Sequence, residues 1–316
     1  MQVTTVNNFL TYTKTGLYCR AGDFFLDPKK PVLKALISHA HGDHAVPNNK
    51  KVYCTLGTRL LINQRFNASA ASEIHAFQYG ESFNLNGVKI TFHPAGHILG
   101  SAQILMEHEG ERYLYTGDFK LQQDESCEAF QYVECDHLIT ETTFASPDYS
   151  HPDPVEEIRK IMQSQSRVLI GAYAVGKAQR ITQLLTKNCP DREVFIHPGI
   201  VQYHKIYERE NLPLGNWRVY RRGDFLSSER GVYILPPTDF SRYSRANDIY
   251  KMFATGWKRS FYKCDGLLSI SDHADWNDLL YMIKKSGARN VYTLHGDGNQ
   301  LKEYLDSSEI NVSILN

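Results

Sequence analysis

The segment Ser38-His39-Ala40-His41-Gly42-Asp43-His44 places three histidines and an aspartate within six residues, directly after the apolar run Val32 to Ile37. Packing does not require such a density of titratable groups, whereas metal chemistry does. His39 and His41, two positions apart, can point the same way from an extended segment. Gly42 lets the chain turn and bring Asp43 and His44 round to a second position. Imidazole nitrogen and carboxylate oxygen are donors that zinc accepts, and manganese somewhat less tightly, so the spacing suits two adjacent divalent cations. One such cluster supplies about half of a dinuclear shell. The remainder is expected at the ends of later strands, where His97 (His93-Pro94-Ala95-Gly96-His97), Asp118 (Thr116-Gly117-Asp118) and His295 (Leu294-His295-Gly296-Asp297) each stand beside a glycine. Small neighbours allow close backbone approach, and a strand end is rigid enough to hold a ligand in place. Each of these residues alone reads as structural; together and in this order they read as a metal centre.

The elements that must position these residues follow from periodicity. Val32 to Ile37 reads as a buried strand and Thr58 to Phe66 as a helix. Ser82 to Leu85, Val88 to His93, Ala102 to His108 and Arg112 to Thr116 alternate like strands, with Asn86-Gly87 and Glu109-Gly110 as hairpin turns. Leu138 to Thr140 is a further short strand. After Phe144 a loop through Ser146-Pro147 and His151-Pro152-Asp153-Pro154 marks a boundary, followed by a helical pattern over Val155 to Gln163. Alternating strand and helix patterns through Val168 to Tyr173, Ala178 to Leu185, Val194 to His197 and Gln202 to Glu210 suit a small α/β unit with a parallel sheet. Leu267 to Ser271 returns to a strand, Asn277 to Lys285 to a helix, and Val291 to Leu294 to a strand ending at His295. The reading is therefore an α/β protein in which residues 1–145 and 266–316 form one domain and residues 146–265 an inserted one.

At 316 residues with 42% hydrophobic content, the chain can bury an ordinary core. Met1 to Thr13 lacks a basic-then-apolar signal pattern, and no apolar run reaches membrane length, so a cytoplasmic protein with no membrane partner is expected. Six cysteines lie far apart with no C-x-x-C, which leaves metal binding to histidine and carboxylates. Formal net charge is zero, but its distribution is uneven. Residues 151–265 carry 19 Lys and Arg against 12 Asp and Glu, and the remainder 16 against 23. A basic middle suits a polyanion, and an acidic, histidine-bearing remainder suits cations.

H-x-H-x-D-H followed by G-H, T-G-D and a late strand-end histidine resembles the metallo-β-lactamase superfamily over residues 16–145 and 266–316. The resemblance implies a four-layer αβ/βα sandwich with two metals at one edge. It assigns His39, His41 and His97 to the first metal and Asp43, His44 and His295 to the second, with Asp118 bridging. An acidic residue in Thr140-Glu141-Thr142-Thr143-Phe144 and a histidine in Ser271-Asp272-His273-Ala274-Asp275, either side of the insertion, resemble the β-CASP nuclease branch. The runs Asp23 to Pro28, Cys135 to Phe144, Gly171 to Arg180 and Ser271 to Trp276 are similar to bacterial ligase-associated DNA exonucleases over nearly the whole length. An ATP-dependent DNA ligase and a helicase are the partners this implies. Ala254-Thr255-Gly256-Trp257-Lys258 is similar to a segment of Artemis-type DNA repair nucleases. That branch lacks a histidine at the position of His295, whereas RNA-processing members have one, and the insertion is short for a β-CASP domain.

The resemblance implies hydrolysis of phosphodiester bonds, with Asp43, His273 and Glu141 in catalytic roles. Two cations lower the pKa of a shared water and clamp the phosphate. His273 would protonate the leaving oxygen and Glu141 would orient it, an adjacent carboxylate favouring the imidazolium. Asp272 and Asp275 stand behind them. In the insertion, Gly176 and Lys177 read as a glycine turn and helix start able to bind a phosphate, and Trp257 with Lys258 as a base-stacking and phosphate-pairing segment. The leading expectation is a DNA exonuclease in repair or end processing. The alternatives are an RNA-processing nuclease, a small-molecule ester or thioester hydrolase and, from outside the enzymes, a nucleic-acid-binding scaffold that has lost catalysis.

Overall fold

The computed structural model describes residues 5–243 and 248–315, so the first four residues of the expected N-terminal segment lie outside it. The chain divides into two compact units: 1–123 with 128–150 and 273–316, and 124–127 with 151–272.

In the first unit two seven-stranded sheets face each other. One runs in chain order through Thr5–Val6, Leu10–Thr13, Gly16–Cys19, Phe24–Leu26, Lys34–Leu36, Asn49–Thr55 and Ala71–Phe77. It begins as an antiparallel meander and becomes parallel from Phe24–Leu26 onward. The other is ordered Asn311–Ile314, Asn290–Leu294, His137–Glu141, Glu111–Tyr115, Ala102–His108, Val88–Pro94 and Ser82–Leu85. Its antiparallel part is built from the two expected hairpins. Asn86-Gly87 and Glu109-Gly110 all have positive φ, the backbone that lets a two-residue turn match the twist of its strands. The inner faces meet in a core that includes Leu10, Phe24 and Leu36 from one sheet and Ile90, Phe92 and Ile104 from the other. Outside, Leu56–Phe66 packs on the first sheet. Trp276–Ser286 and Asn299–Leu305 cover the second through Leu279, Met282, Ile283, Leu301 and Leu305. The result is a four-layer helix–sheet–sheet–helix sandwich.

The second unit is a six-stranded sheet, every pair parallel, ordered Trp217–Val219, Val194–Ile196, Val232–Leu235, Val168–Gly171, Tyr250–Ala254 and Gly266–Leu268. Its central strands Val168–Gly171 and Val232–Leu235 are buried at every residue, as a parallel sheet covered on both faces demands. Gly266–Leu268 is the edge strand of this sheet, so the chain leaves the second unit after Asp272 and not at the expected 265/266 junction. Its parallel pairing with Tyr250–Ala254 is the reason. Among the described residues no helix is long and apolar enough to cross a membrane.

Candidate metal centre

Strand ends of the first unit bring the expected ligands to one edge. The strand Lys34–Leu36 hands on to His39, His41 and His44, and Val88–Pro94 to the loop carrying His97. Glu111–Tyr115 leads to Asp118, His137–Glu141 ends on Glu141, and Asn290–Leu294 is followed by His295. The His97 loop is closed on Ser101, whose Oγ accepts the N–H groups of His97 at 3.0 Å and Ile98 at 3.2 Å. Two glycines permit the close approach. A Cβ on Gly117 would stand 2.7 Å from Ser38, and one on Gly296 would stand 2.1 Å from the Thr142 carbonyl oxygen.

Four ligand atoms, one each from His39, His41, His97 and Asp118, lie within 4.8 Å of one another. His41 Nδ1 is 3.2 Å from His39 Nε2 and 3.0 Å from His97 Nε2. Asp118 Oδ2 is 3.6 Å from His39 Nε2 and 3.8 Å from His97 Nε2. Ligand bonds of about 2.0–2.1 Å in a tetrahedron would place their atoms roughly 3.4 Å apart, and these separations bracket that value. A hydrogen bond joins such atoms in pairs, whereas a cation at their centre serves all four, so the donor set fits a divalent metal. His39, His97 and Asp118 are buried, and buried groups of this kind are seldom found without pairing or coordination.

The adjoining group is built on His44. Its Nε2 lies 3.4 Å from Asp118 Oδ1 and 3.8 Å from Asp43 Oδ2, and its ring centroid lies 4.8 Å from that of His295. Asp118 therefore stands between the two groups. Asp43 and His295 are exposed. Burial, reinforced by His44, holds His39 well below the ordinary histidine range, which keeps the ring neutral with a lone pair for coordination. For His44, burial acts in the same direction but Asp118 and Asp27 outweigh it, raising its proton affinity well above normal. Asp118 is buried too, yet His44 and His273 keep its carboxyl well below the usual range.

Asp27 was not among the residues expected from sequence. Its Oδ1 accepts Ser38 N–H at 2.7 Å, and its Oδ2 accepts Ser38 Oγ at 2.5 Å, Tyr115 Oη at 2.9 Å and His44 Nδ1 at 2.7 Å. Its carboxylate also comes within 4.8 Å of ligand atoms of His39 and His44. With four donors already directed at it, its fitting role is to orient His44 and leave Nε2 for a cation. The available signal was its place directly after the apolar strand Phe24–Leu26, much as Asp118 lies shortly beyond Glu111–Tyr115.

Glu141 and His273 meet as expected. Glu141 Oε2 accepts His273 Nδ1 at 2.8 Å and Thr143 Oγ1 at 2.5 Å, and Oε1 accepts Phe119 N–H at 2.8 Å. His273 Nδ1 is also 3.9 Å from Asp118 Oδ2, so this pair borders the metal ligands. The Ala274 N–H, donating to the Phe119 carbonyl at 2.7 Å, fixes the backbone beside His273. Asp275 is the N-cap of Trp276–Ser286.

In the second unit the expected phosphate site at Gly176 and Lys177 does not form. The Gly176 N–H donates to Gln179 Oε1 at 2.7 Å. Lys177 is buried, with Nζ donating to the Ile270 carbonyl at 2.6 Å and paired with Asp272 at 3.0 Å. Both donors serve the interior. Asp272 is held there as well, by Lys177 and Arg180. Trp257 and Lys258 are exposed.

The chain is similar to known proteins in sequence and in fold. Residues 22–173 match the family model described as beta-lactamase superfamily domain. A probable DNA ligase from Opitutus terrae is 31% identical over 308 residues, 92% of this chain and 29% of that protein. An RNase J-like protein from Methanocaldococcus jannaschii is 33% identical over 189 residues, 49% of this chain and 44% of that protein. The chain thus spans less than half the length of either relative. The crystal structure of a protein of unknown function from Enterococcus faecalis V583 superimposes with a TM-score of 0.61 at 13% identity, over 89% of this chain and 78% of that one, a likeness of fold.

Proposed function

We propose that this chain, which carries a metallo-β-lactamase domain and has nucleases of the β-CASP kind among its homologues, is a metal-dependent phosphodiesterase that cleaves nucleic acid strands. The observation that carries the reading is the convergence of ligand atoms from His39, His41, His97 and Asp118 beside the hydrogen-bonded pair Glu141 and His273. The superfamily implies divalent cations. The donor set, all nitrogen and oxygen, suits zinc or manganese. His39, His41, His97 and Asp118 would hold one, and Asp43, His44, His295 and the other oxygen of Asp118 a second. When bound, the cations supply positive charge that acidifies water and neutralises the phosphate's non-bridging oxygens.

The chain's own residues supply the proton chemistry. Glu141 receives three donors and acts purely as an acceptor, which assigns the His273 proton to Nδ1 and leaves Nε2 to exchange a proton with the leaving oxygen. Glu141 therefore sets the tautomer and the ring orientation.

The finer reading is a DNA exonuclease acting in repair or end processing beside an ATP-dependent DNA ligase, supported by the 31% identity to a probable DNA ligase along 92% of this chain. The helicase expected beside it has no counterpart among the relatives above. RNA cleavage is the second reading, favoured by His295 next to His44 and by the RNase J-like relative. Incubation with Mn²⁺ or Zn²⁺ and end-labelled single-stranded DNA and RNA of one sequence, with Asp43→Ala as control, tests both. DNA-selective shortening from an end, lost in the variant, supports the first; RNA-selective cleavage replaces it with the second. Absence of metal-dependent cleavage of either polymer would refute the nuclease reading.

A further inference from the structure

The connection between the strands Tyr250–Ala254 and Gly266–Leu268 is chemically distinctive. Residues 255–264 contain Trp257, Lys258, Arg259, Phe261 and Lys263 and no acidic side chain. Phe261 is 103% exposed and Trp257 48% exposed, and Lys258, Arg259 and Lys263 are all exposed. Among the described residues neither Arg259 nor Lys263 forms an ion pair. A large apolar ring held wholly in water beside three cations has no structural use in its own unit.

The loop is nonetheless rooted. The Thr255 N–H donates to the Leu268 carbonyl at 3.0 Å, the Trp257 N–H to Thr255 Oγ1 at 3.1 Å and the Tyr262 N–H to Ser260 Oγ at 2.9 Å. The Tyr262 ring stacks on Phe253 with centroids 4.6 Å apart and meets Phe240 edge-on at 6.2 Å. Tyr262 anchors inward while its neighbour Phe261 stands in solvent. Such an arrangement fixes the backbone beneath the exposed ring, so less order need be imposed on binding.

We propose that residues 256–263 form a base-stacking platform for single-stranded nucleic acid, with Phe261 and Trp257 lying against base faces and Lys258, Arg259 and Lys263 meeting phosphates. The proposal rests on the nuclease reading and deepens it by specifying the form of the substrate. Aromatic rings accept any base, since every base has a π-face, and cations track the backbone. In a duplex those faces are covered by neighbouring pairs, so only an unpaired or terminal base can occupy the platform. The excess of positive charge favours a polyanion over a protein surface as the partner.

Fluorescence anisotropy with a labelled oligothymidylate and a blunt duplex of equal length tests this, using the full chain in EDTA to prevent cleavage. Phe261→Ala is expected to weaken single-strand binding at least about five-fold, and Trp257→Ala/Phe261→Ala further still. Phe261→Trp should keep the affinity, duplex binding should change much less, and the thermal midpoint should not move. Wild-type binding that is unchanged by Phe261→Ala would overturn the platform and redirect this face to a protein partner. Equal loss in Phe261→Ala and Phe261→Trp would overturn the stacking role. If the wild type binds neither oligonucleotide in EDTA and cleaves neither DNA nor RNA when Mn²⁺ or Zn²⁺ is supplied, the nuclease reading falls first and the platform with it.

Discussion

At the scale of single residues, Asp27 is the most informative side chain that does not belong to the expected ligand set. Four donors converge on its carboxylate, among them His44 Nδ1. Asp27→Asn preserves the shape but turns an N–H₂ toward donors. We expect metal affinity to fall about 10- to 100-fold, measured by chelator competition, as is usual when the partner of a ligating histidine is altered. Wild-type affinity in the variant would remove Asp27 from this role. His273→Ala separates proton transfer from metal binding. Cleavage should drop by roughly 10²- to 10⁴-fold with metal content unchanged, and full activity would dismiss His273 as the acid. The dense cluster around His39 was legible because several ligands lie within one short segment. Asp27 was not, because its partners Tyr115 and His44 are remote in sequence and a lone acid at a strand end carries little signal.

Among the elements, the helix Trp276–Ser286 carries a pH-dependent strain at its first turn. Burial and the neighbouring Asp275 push the Asp278 carboxyl up to about 6, against the pull of the helix N-terminus. A folded-state pKa above the unfolded value means that the fold binds the proton more tightly. The associated stability is complete below the unfolded pKa, near 3.9, and is lost as pH rises through about 6. A shift of two units corresponds to nearly 3 kcal/mol, but the group is partly solvated and about 1 kcal/mol is the fitting expectation. Asp278→Asn should therefore lessen the loss of stability between about pH 4 and pH 7 by about 1 kcal/mol in urea unfolding. An unaltered pH dependence would contradict the assignment. The hairpins at Asn86-Gly87 and Glu109-Gly110 could be read in advance because turn chemistry is local. The pairing of Gly266–Leu268 with Tyr250–Ala254 could not, since nothing in a three-residue apolar strand states which sheet it joins.

On the scale of the whole molecule, zero net charge conceals a division of labour that the sequence already displayed as a basic middle and an acidic remainder. The first unit holds the candidate cations and the second the exposed aromatic and basic loop. Counting charges did not distinguish cations facing solvent from those consumed by the interior. Lys177 and Arg180 are both buried and hold Asp272, so their contribution to the basic balance is unavailable to a polyanion. Lys258, Arg259 and Lys263 remain at the surface. Strand and helix periodicity located the elements and family resemblance alone implied their four-layer sandwich, while burial of charge depended on pairings that only the folded chain reveals.

The proposed chemistry depends on two cations gathered around Asp118. Metal content per chain, measured by mass spectrometry after loading with Zn²⁺ or Mn²⁺ and gel filtration, addresses this directly, with Asp118→Asn and Asp43→Ala alongside. The expected result is two ions in the wild type, a reduced content in both variants, and cleavage that disappears on chelation and returns with metal. Wild-type protein that retains no divalent ion, or that cleaves nucleic acid equally well after its metal has been removed, would contradict it.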